Sequence, residues 1–110
     1  MRSSFSEREK AIENKFQHDN VIDFKVKAKR NRLFGHWAGE ALGLTGPDLE
    51  SYTAKIVNHT IKNPTDDSLV TKIFGHFQNR DIAFTEHQIE KQLLYFHRDA
   101  QEEIQKGFQD

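Results

Sequence analysis

Apolar residues recur every three or four positions through most of the chain, with charged residues between them. The longest such stretch starts near Asn20 and ends at Gly43. At 100° per residue its apolar side chains share one stripe, and most of its charged side chains lie on the opposite side. The pattern predicts an amphipathic first helix, which Gly43 can end by adopting the left-handed conformation. The stripe comprises Val26, Leu33, Phe34, Trp37, Ala41 and Leu44.

Three shorter periodic stretches follow, and each predicts a helix. Pro47 suits the first turn of the second helix, and the breaker Asn63-Pro64 separates the second helix from the third. Thr85 and Gln88 form a capping-box pattern, which predicts the start of the fourth helix. No stretch alternates as a strand would. The predicted core faces are Leu49, Tyr52, Ile56 and Val57, then Leu69, Val70, Ile73, Phe74 and Phe77, then Ile89, Leu93, Phe96, Ala100 and Ile104.

The predicted fold is all-α: a four-helix bundle over residues 20–110, preceded by an N-terminal helical arm over residues 1–19. The arm has a narrow apolar seam formed by Phe5, Ile12 and Phe16. Three apolar residues are few to hold a helix on a bundle, and short isolated helices are marginal in water. Two interpretations stay open: the arm frays in the free protein and folds on a partner, or it docks on its own bundle as an extension of the first helix.

Composition narrows the class of protein. The chain has 110 residues and no cysteine, which excludes disulfides, thiolate metal sites and a cysteine nucleophile. No apolar run approaches the length of about 20 residues that spans a bilayer. The N-terminal residues lead into a charged stretch instead of the apolar core of a signal peptide. We therefore expect a soluble, cytoplasmic, single-domain protein with no membrane insertion.

The sequence lacks the common catalytic and metal-binding patterns. The six histidines include no pair spaced three or four residues apart, and no glutamate is followed by a histidine three residues later. Di-iron bundles need that Glu-x-x-His spacing on two helices. A glycine-rich phosphate loop and the hydrolase and zinc-protease motifs are also missing. We expect no catalytic residue, no metal and no cofactor, and hence a protein that is not an enzyme.

Charge is distributed unevenly along the chain. The first 35 residues carry nine Lys or Arg against five Asp or Glu, whereas the rest carries seven against twelve. This distribution fits both an acidic partner for the first third and a bundle whose own halves are complementary in charge. Arg30 falls beside the apolar stripe, where a guanidinium needs a partner; it either pins helices together or binds an anion. One alternative function is therefore a binding or assembly module for an anionic partner or nucleotide. Its candidate contacts are Lys25, Lys29, Arg30 and Asn31.

A further alternative is a helix-turn-helix protein that binds nucleic acid. A basic helix precedes a turn at residues 42–47, as in such a corner. However, the helix that would recognise bases begins with Asp48 and Glu50, and their negative charge would repel phosphate. The sequence therefore disfavours nucleic acid as the partner.

Several stretches of this sequence resemble a known family. The first is Phe5-x-x-Arg8-Glu9-x-x-x-Glu13-x-Lys15-Phe16-x-x-Asp19, and the second is Phe24-Lys25-x-x-Ala28-x-Arg30-Asn31-x-Leu33-x-Gly35-x-Trp37-Ala38. Later stretches, Leu42-Gly43-Leu44-x-Gly46 and Glu86-His87-x-Ile89, agree in order and spacing. Together they span nearly the whole chain and resemble the ζ-type inhibitor of bacterial F-type ATP synthases.

The resemblance implies a non-enzymatic regulator built as a four-helix bundle with a mobile N-terminal segment. In that family the segment becomes helical in a catalytic interface between the α and β subunits, near the γ shaft, and stops ATP hydrolysis by blocking rotation. The implied partner is the catalytic head, with its α, β and γ subunits, and the implied location is the cytoplasm, peripheral to the membrane-bound synthase. Carried onto this sequence, the partner-binding residues of the arm are Phe5, Arg8, Glu9, Ile12, Glu13, Lys15 and Phe16.

Overall fold

The computed structural model of the chain describes the backbone of residues 2–109 and the side chains of residues 21–107. Over that backbone it contains four α-helices and no strand, so the predicted all-α fold with four helices is confirmed. The helices are α1 (Arg2–Ala41), α2 (Gly46–Lys62), α3 (Asp66–Asn79) and α4 (Glu86–Gln109).

Helix α1 is longer than the hydrophobic pattern predicted. The predicted start near Asn20 is wrong, because one continuous helix runs from Arg2 to Ala41. The sequence has neither glycine nor proline before Gly35, so no residue interrupts the helical backbone. The division of the chain into an arm over residues 1–19 and a bundle stays a prediction.

Gly43 terminates α1 in the way the sequence indicated. Its φ is +84°, in the left-handed region where glycine has no steric penalty. The Leu44 N–H donates to the Gly39 carbonyl at 3.0 Å, and the Gly43 N–H donates to the Glu40 carbonyl at 2.9 Å. This pair of bonds is the Schellman motif, which satisfies two carbonyls at the helix end and turns the chain towards α2.

Side chains cap both α3 and α4, and the cap of α4 is the one the sequence predicted. The Ser68 N–H donates to the Thr65 Oγ1 at 3.2 Å, which caps α3. At α4 the Thr85 N–H donates to Gln88 Oε1 at 2.9 Å, and the Gln88 N–H donates back to Thr85 Oγ1 at 3.1 Å. These reciprocal bonds are the predicted capping box. At α2 no side chain caps the helix; Pro47 lies in its first turn.

The core lies among all four helices and agrees with the predicted apolar faces. Trp37 packs its ring against aromatic rings of α1, α3, α4 and the loop before α4, with centroid distances of 5.5–6.4 Å. This contact set confirms Trp37 as a packing residue of the bundle. The buried cluster comprises Phe34, Ala38, Ile56, Leu69, Val70, Ile73, Phe77, Ile89 and Leu93.

Candidate functional site

The seven residues predicted to bind the partner through the arm lie outside the described side chains. The backbone places them on the N-terminal part of α1. Their role therefore stays a prediction. They are Phe5, Arg8, Glu9, Ile12, Glu13, Lys15 and Phe16.

Burial along the described part of α1 changes at Val26. Val26 is only 3% exposed, whereas Phe24 is 74% exposed and Val21 is 48% exposed. Residues three apart on a helix are neighbours on its surface, so Val21 and Phe24 lie next to each other. Helix α1 therefore packs into the bundle from Val26 onward and carries an exposed apolar pair immediately before it.

Arg30 is buried within this packed part of α1 and is 5% exposed. Its guanidinium donates to both carboxylate oxygens of Asp66, with Nη2 2.8 Å from Oδ1 and Nη1 3.2 Å from Oδ2. It also donates through Nε and Nη2 to Asn31 Oδ1, at 3.0 and 2.9 Å. Such bidentate, charge-assisted bonds are strong and directional. Arg30 therefore pins α1 to the first turn of α3, one of the two roles left open by the sequence.

The other predicted anion contacts have different surroundings. Lys29 forms an ion pair with Glu103 of α4, a partner the sequence analysis did not identify. Asn31 accepts the Arg30 bonds described above, and Lys25 is exposed. The structure thus brings Arg30 and Asn31 together and directs Lys29 towards α4. A role for the set in anion binding stays a prediction.

A groove of about 600 Å³ runs between α2 and α3 and reaches the end of α1. We call it the basic groove, because four cationic side chains line it and no Asp or Glu does: Lys55 and Lys62 from α2, Lys72 from α3, and Arg80, which directly follows α3. The sequence analysis missed it. Three of its cations are exposed and Lys72 is half-buried, and only the pairing of α2 with α3 brings the four together.

A half-buried polar pair, Tyr52 from α2 and His76 from α3, lines the basic groove. The Tyr52 hydroxyl lies 2.9 Å from His76 Nδ1, and the two rings meet edge to face. Burial raises the pKa of Tyr52 to about 12. The pKa of His76 is lowered, chiefly by burial and then by the electrostatic influence of Lys72 and His59. His76 is therefore neutral at neutral pH.

Neither a metal site nor a membrane span occurs among the described residues. Among them, no group of three or more His, Asp or Glu side chains is arranged to hold a metal ion. No helix, over the residues described, has an apolar stretch long enough to cross a membrane. Two features of the described surface are accessible from solvent: the exposed apolar pair on α1 and the basic groove.

These features define an all-α protein of four helices. The model of the family described as ATPase inhibitor subunit zeta matches residues 1–103, and the chain belongs to that family. The resemblance stated from the sequence is thereby confirmed. Neither the search of curated proteins nor the search of solved structures gives a significant match to this chain.

Proposed function

We propose that this protein inhibits ATP hydrolysis by the catalytic head of an F-type ATP synthase, and that residues 1–19 bind as a helix in a catalytic interface between its α and β subunits, near γ. Membership of a family of ATPase inhibitor subunits supports the inhibitory role. The mechanism requires no catalytic group in the inhibitor, because an arm bound beside γ blocks rotation sterically. The protein works as a non-enzymatic, peripheral regulator in the cytoplasm.

The observation that carries this proposal is the continuity of α1. A single helix includes residues 2–20 and the anchored stretch in which Phe34 is fully buried and Arg30 is paired to α3. A wedge that resists a turning shaft must transmit load to a body that cannot be pushed aside. A continuous helix fixed in a bundle can do so, because an unbroken ladder of backbone hydrogen bonds joins the arm to the bundle.

The composition of the arm supports its binding as a helix in a groove. Phe5, Ile12 and Phe16 lie seven and four residues apart, so they share one helix face, and both signs of charge flank them. Helix-in-groove recognition uses such apolar anchors. A segment that must order on binding loses about 2–5 kcal/mol of interaction energy, and any helix already formed reduces that loss.

The test is the ATPase rate of the cognate catalytic head with four forms of the protein: the full chain, the chain without residues 1–19, and two triple variants. One variant removes the seam, F5S/I12S/F16S, and the matched control, N14S/Q17S/H18S, changes other faces of the same helix. We expect inhibition by the full chain and the control, none after deletion, and at least about tenfold weaker inhibition from the seam variant.

Two results would contradict the proposal at different levels. A full chain that leaves the ATPase rate unchanged rejects inhibition for this protein. Inhibition that survives deletion of residues 1–19 leaves the inhibitory role standing and rejects the arm as its agent.

A further inference from the structure

We propose that the basic groove between α2 and α3 binds an extended acidic segment of a partner polypeptide. The inference goes beyond the proposed function, because it concerns a surface that shares no residue with the arm. Inhibition through the arm and peptide binding in the groove can each fail while the other holds.

The first support is that the cations of the groove are unpaired within the described structure. Lys55, Lys62, Lys72 and Arg80 make no ion pair with any residue whose side chain is described, and no carboxylate lines the groove. Lys72 is close enough to His76 to lower the pKa of that imidazole, so positive charge is concentrated there. Unneutralised cations on facing walls favour an anionic occupant.

The second support is the spacing of the cations along the two walls. Lys55 and Lys62 are seven residues apart on α2, and Lys72 of α3 is eight residues before Arg80, the residue that caps the end of α3. At 1.5 Å per residue, each pair extends over about 10–12 Å of helix. That length matches three or four residues of extended chain, at about 3.3 Å each. A small anion needs donors that converge on one point, whereas these are distributed along a line.

The third support is the kind of polar group that accompanies the cations. Side-chain amides from Asn58, Asn63 and Asn79 line the groove, and an amide can both donate to and accept from a peptide backbone. Neither the first turn of α2 nor that of α3 contributes to the lining, so the free N–H groups that commonly cradle phosphate do not face the groove. The asparagine amides can bond the backbone of a peptide while the cations pair with its acidic side chains, so the lining fits an extended acidic segment.

The test measures binding of a fluorescent hexaglutamate peptide to the full chain by anisotropy, with hexalysine as the peptide control. The groove variant is K62E/K72E, and the matched control is K91E/K106E, which makes the same change of net charge on α4. We expect hexaglutamate to bind the wild type and the control alike, and the groove variant at least about tenfold more weakly. Binding should also weaken as salt rises from about 20 mM to about 200 mM.

Several outcomes would overturn the proposal. Equal weakening by both variants means that only net charge matters. Displacement of hexaglutamate by ATP or inorganic phosphate at lower concentration assigns the groove to a small anion. Self-association that K62E/K72E abolishes assigns the groove to a second copy of the chain.

Circular dichroism and thermal unfolding establish that each variant is folded. If K62E/K72E is not folded, the neutral variant K62Q/K72Q replaces it, with K91Q/K106Q as its control.

Discussion

Helix α2 meets its two neighbours in contrasting ways. Towards α1 the helices are in close contact: a Cβ at Gly35 would lie 3.1 Å from the Ile56 Cβ, and one at Gly39 would lie 2.5 Å from Leu49 Cδ1. Towards α3 the contacts include two polar pairs, Tyr52–His76 and His59–Ser68, beside the open basic groove. One side of α2 is thus closely packed, and the other is polar and partly open.

The difference separates what stabilises the fold from what is available to a partner. Close packing buries apolar surface and gains many dispersion contacts, so the interface of α1 with α2 contributes strongly to stability. A neutral hydrogen bond contributes only about 1 kcal/mol net, so the polar interface of α2 with α3 contributes less per contact. We therefore expect substitutions on the α1 side to alter folding, and substitutions on the α3 side to alter binding or pH dependence.

The largest expected effect comes from adding volume where α1 and α2 touch. Gly35→Leu should destabilise the protein by about 1–3 kcal/mol, because the new Cβ would already lie 3.1 and 3.2 Å from the Ile56 Cβ and Cγ2, and the rest of the leucine side chain would add further volume at this close contact. Urea unfolding followed by circular dichroism measures the change.

The matched control is Gly75→Leu in α3, where a Cβ would meet no atom within 4 Å. There the substitution should stabilise the protein by up to about 1 kcal/mol, because leucine is a better helix former than glycine. Destabilisation by both variants to the same extent would show that the close approach of α1 and α2 is not what makes Gly35 sensitive.

The helices and most of their apolar faces could be predicted because hydrophobic periodicity and helix caps depend on residues close together in the sequence. The apolar faces of α2, α3 and α4 and the Thr85–Gln88 capping box depend on residues within a few positions of one another. The start of α1 was wrong because the prediction relied on a wide apolar stripe. The helix continues to Arg2 through a segment with few apolar residues, where favourable helix propensity and the lack of a breaker decide the backbone.

The features that required the structure are those that join distant residues. The sequence indicated that Arg30 needs a partner but not which one, since Asp66 is 36 residues away. The basic groove could not be predicted for the same reason: the lysines of α2 and α3 have no local pattern in common.

The apolar face of α2 also includes Thr53, a polar residue that the sequence analysis left out. Thr53 is buried, and its Oγ1 donates to the Leu49 carbonyl at 2.8 Å, so its hydroxyl is satisfied within an apolar interface.

A smaller effect is expected from the polar pair on the other side of α2. Tyr52→Phe removes the hydroxyl that lies 2.9 Å from His76 Nδ1 and should destabilise the protein by about 0.5–1.5 kcal/mol. The chain offers a control in Tyr95, which is 60% exposed, so Tyr95→Phe should change stability by less than about 0.5 kcal/mol. The same urea titration compares them. If the two variants lose equal stability, the Tyr52–His76 contact contributes nothing specific.

The smallest effect concerns pH and again distinguishes the two sides of α2. Because the pKa of His76 is lowered in the folded protein, the unfolded chain binds more protons between that pKa and the ordinary histidine value of 6.5. The contribution of His76 to stability is therefore complete above pH 6.5 and is lost as pH falls through the lowered pKa of the folded protein.

Unfolding measured at about pH 7.5 and about pH 5.5 should show lower stability in acid, and His76→Gln should reduce that difference. His87→Gln, at an exposed position of α4, serves as the control and should preserve it. An undiminished difference in His76→Gln would place the acid sensitivity outside the α2–α3 interface and weaken the contrast drawn between the two sides of α2.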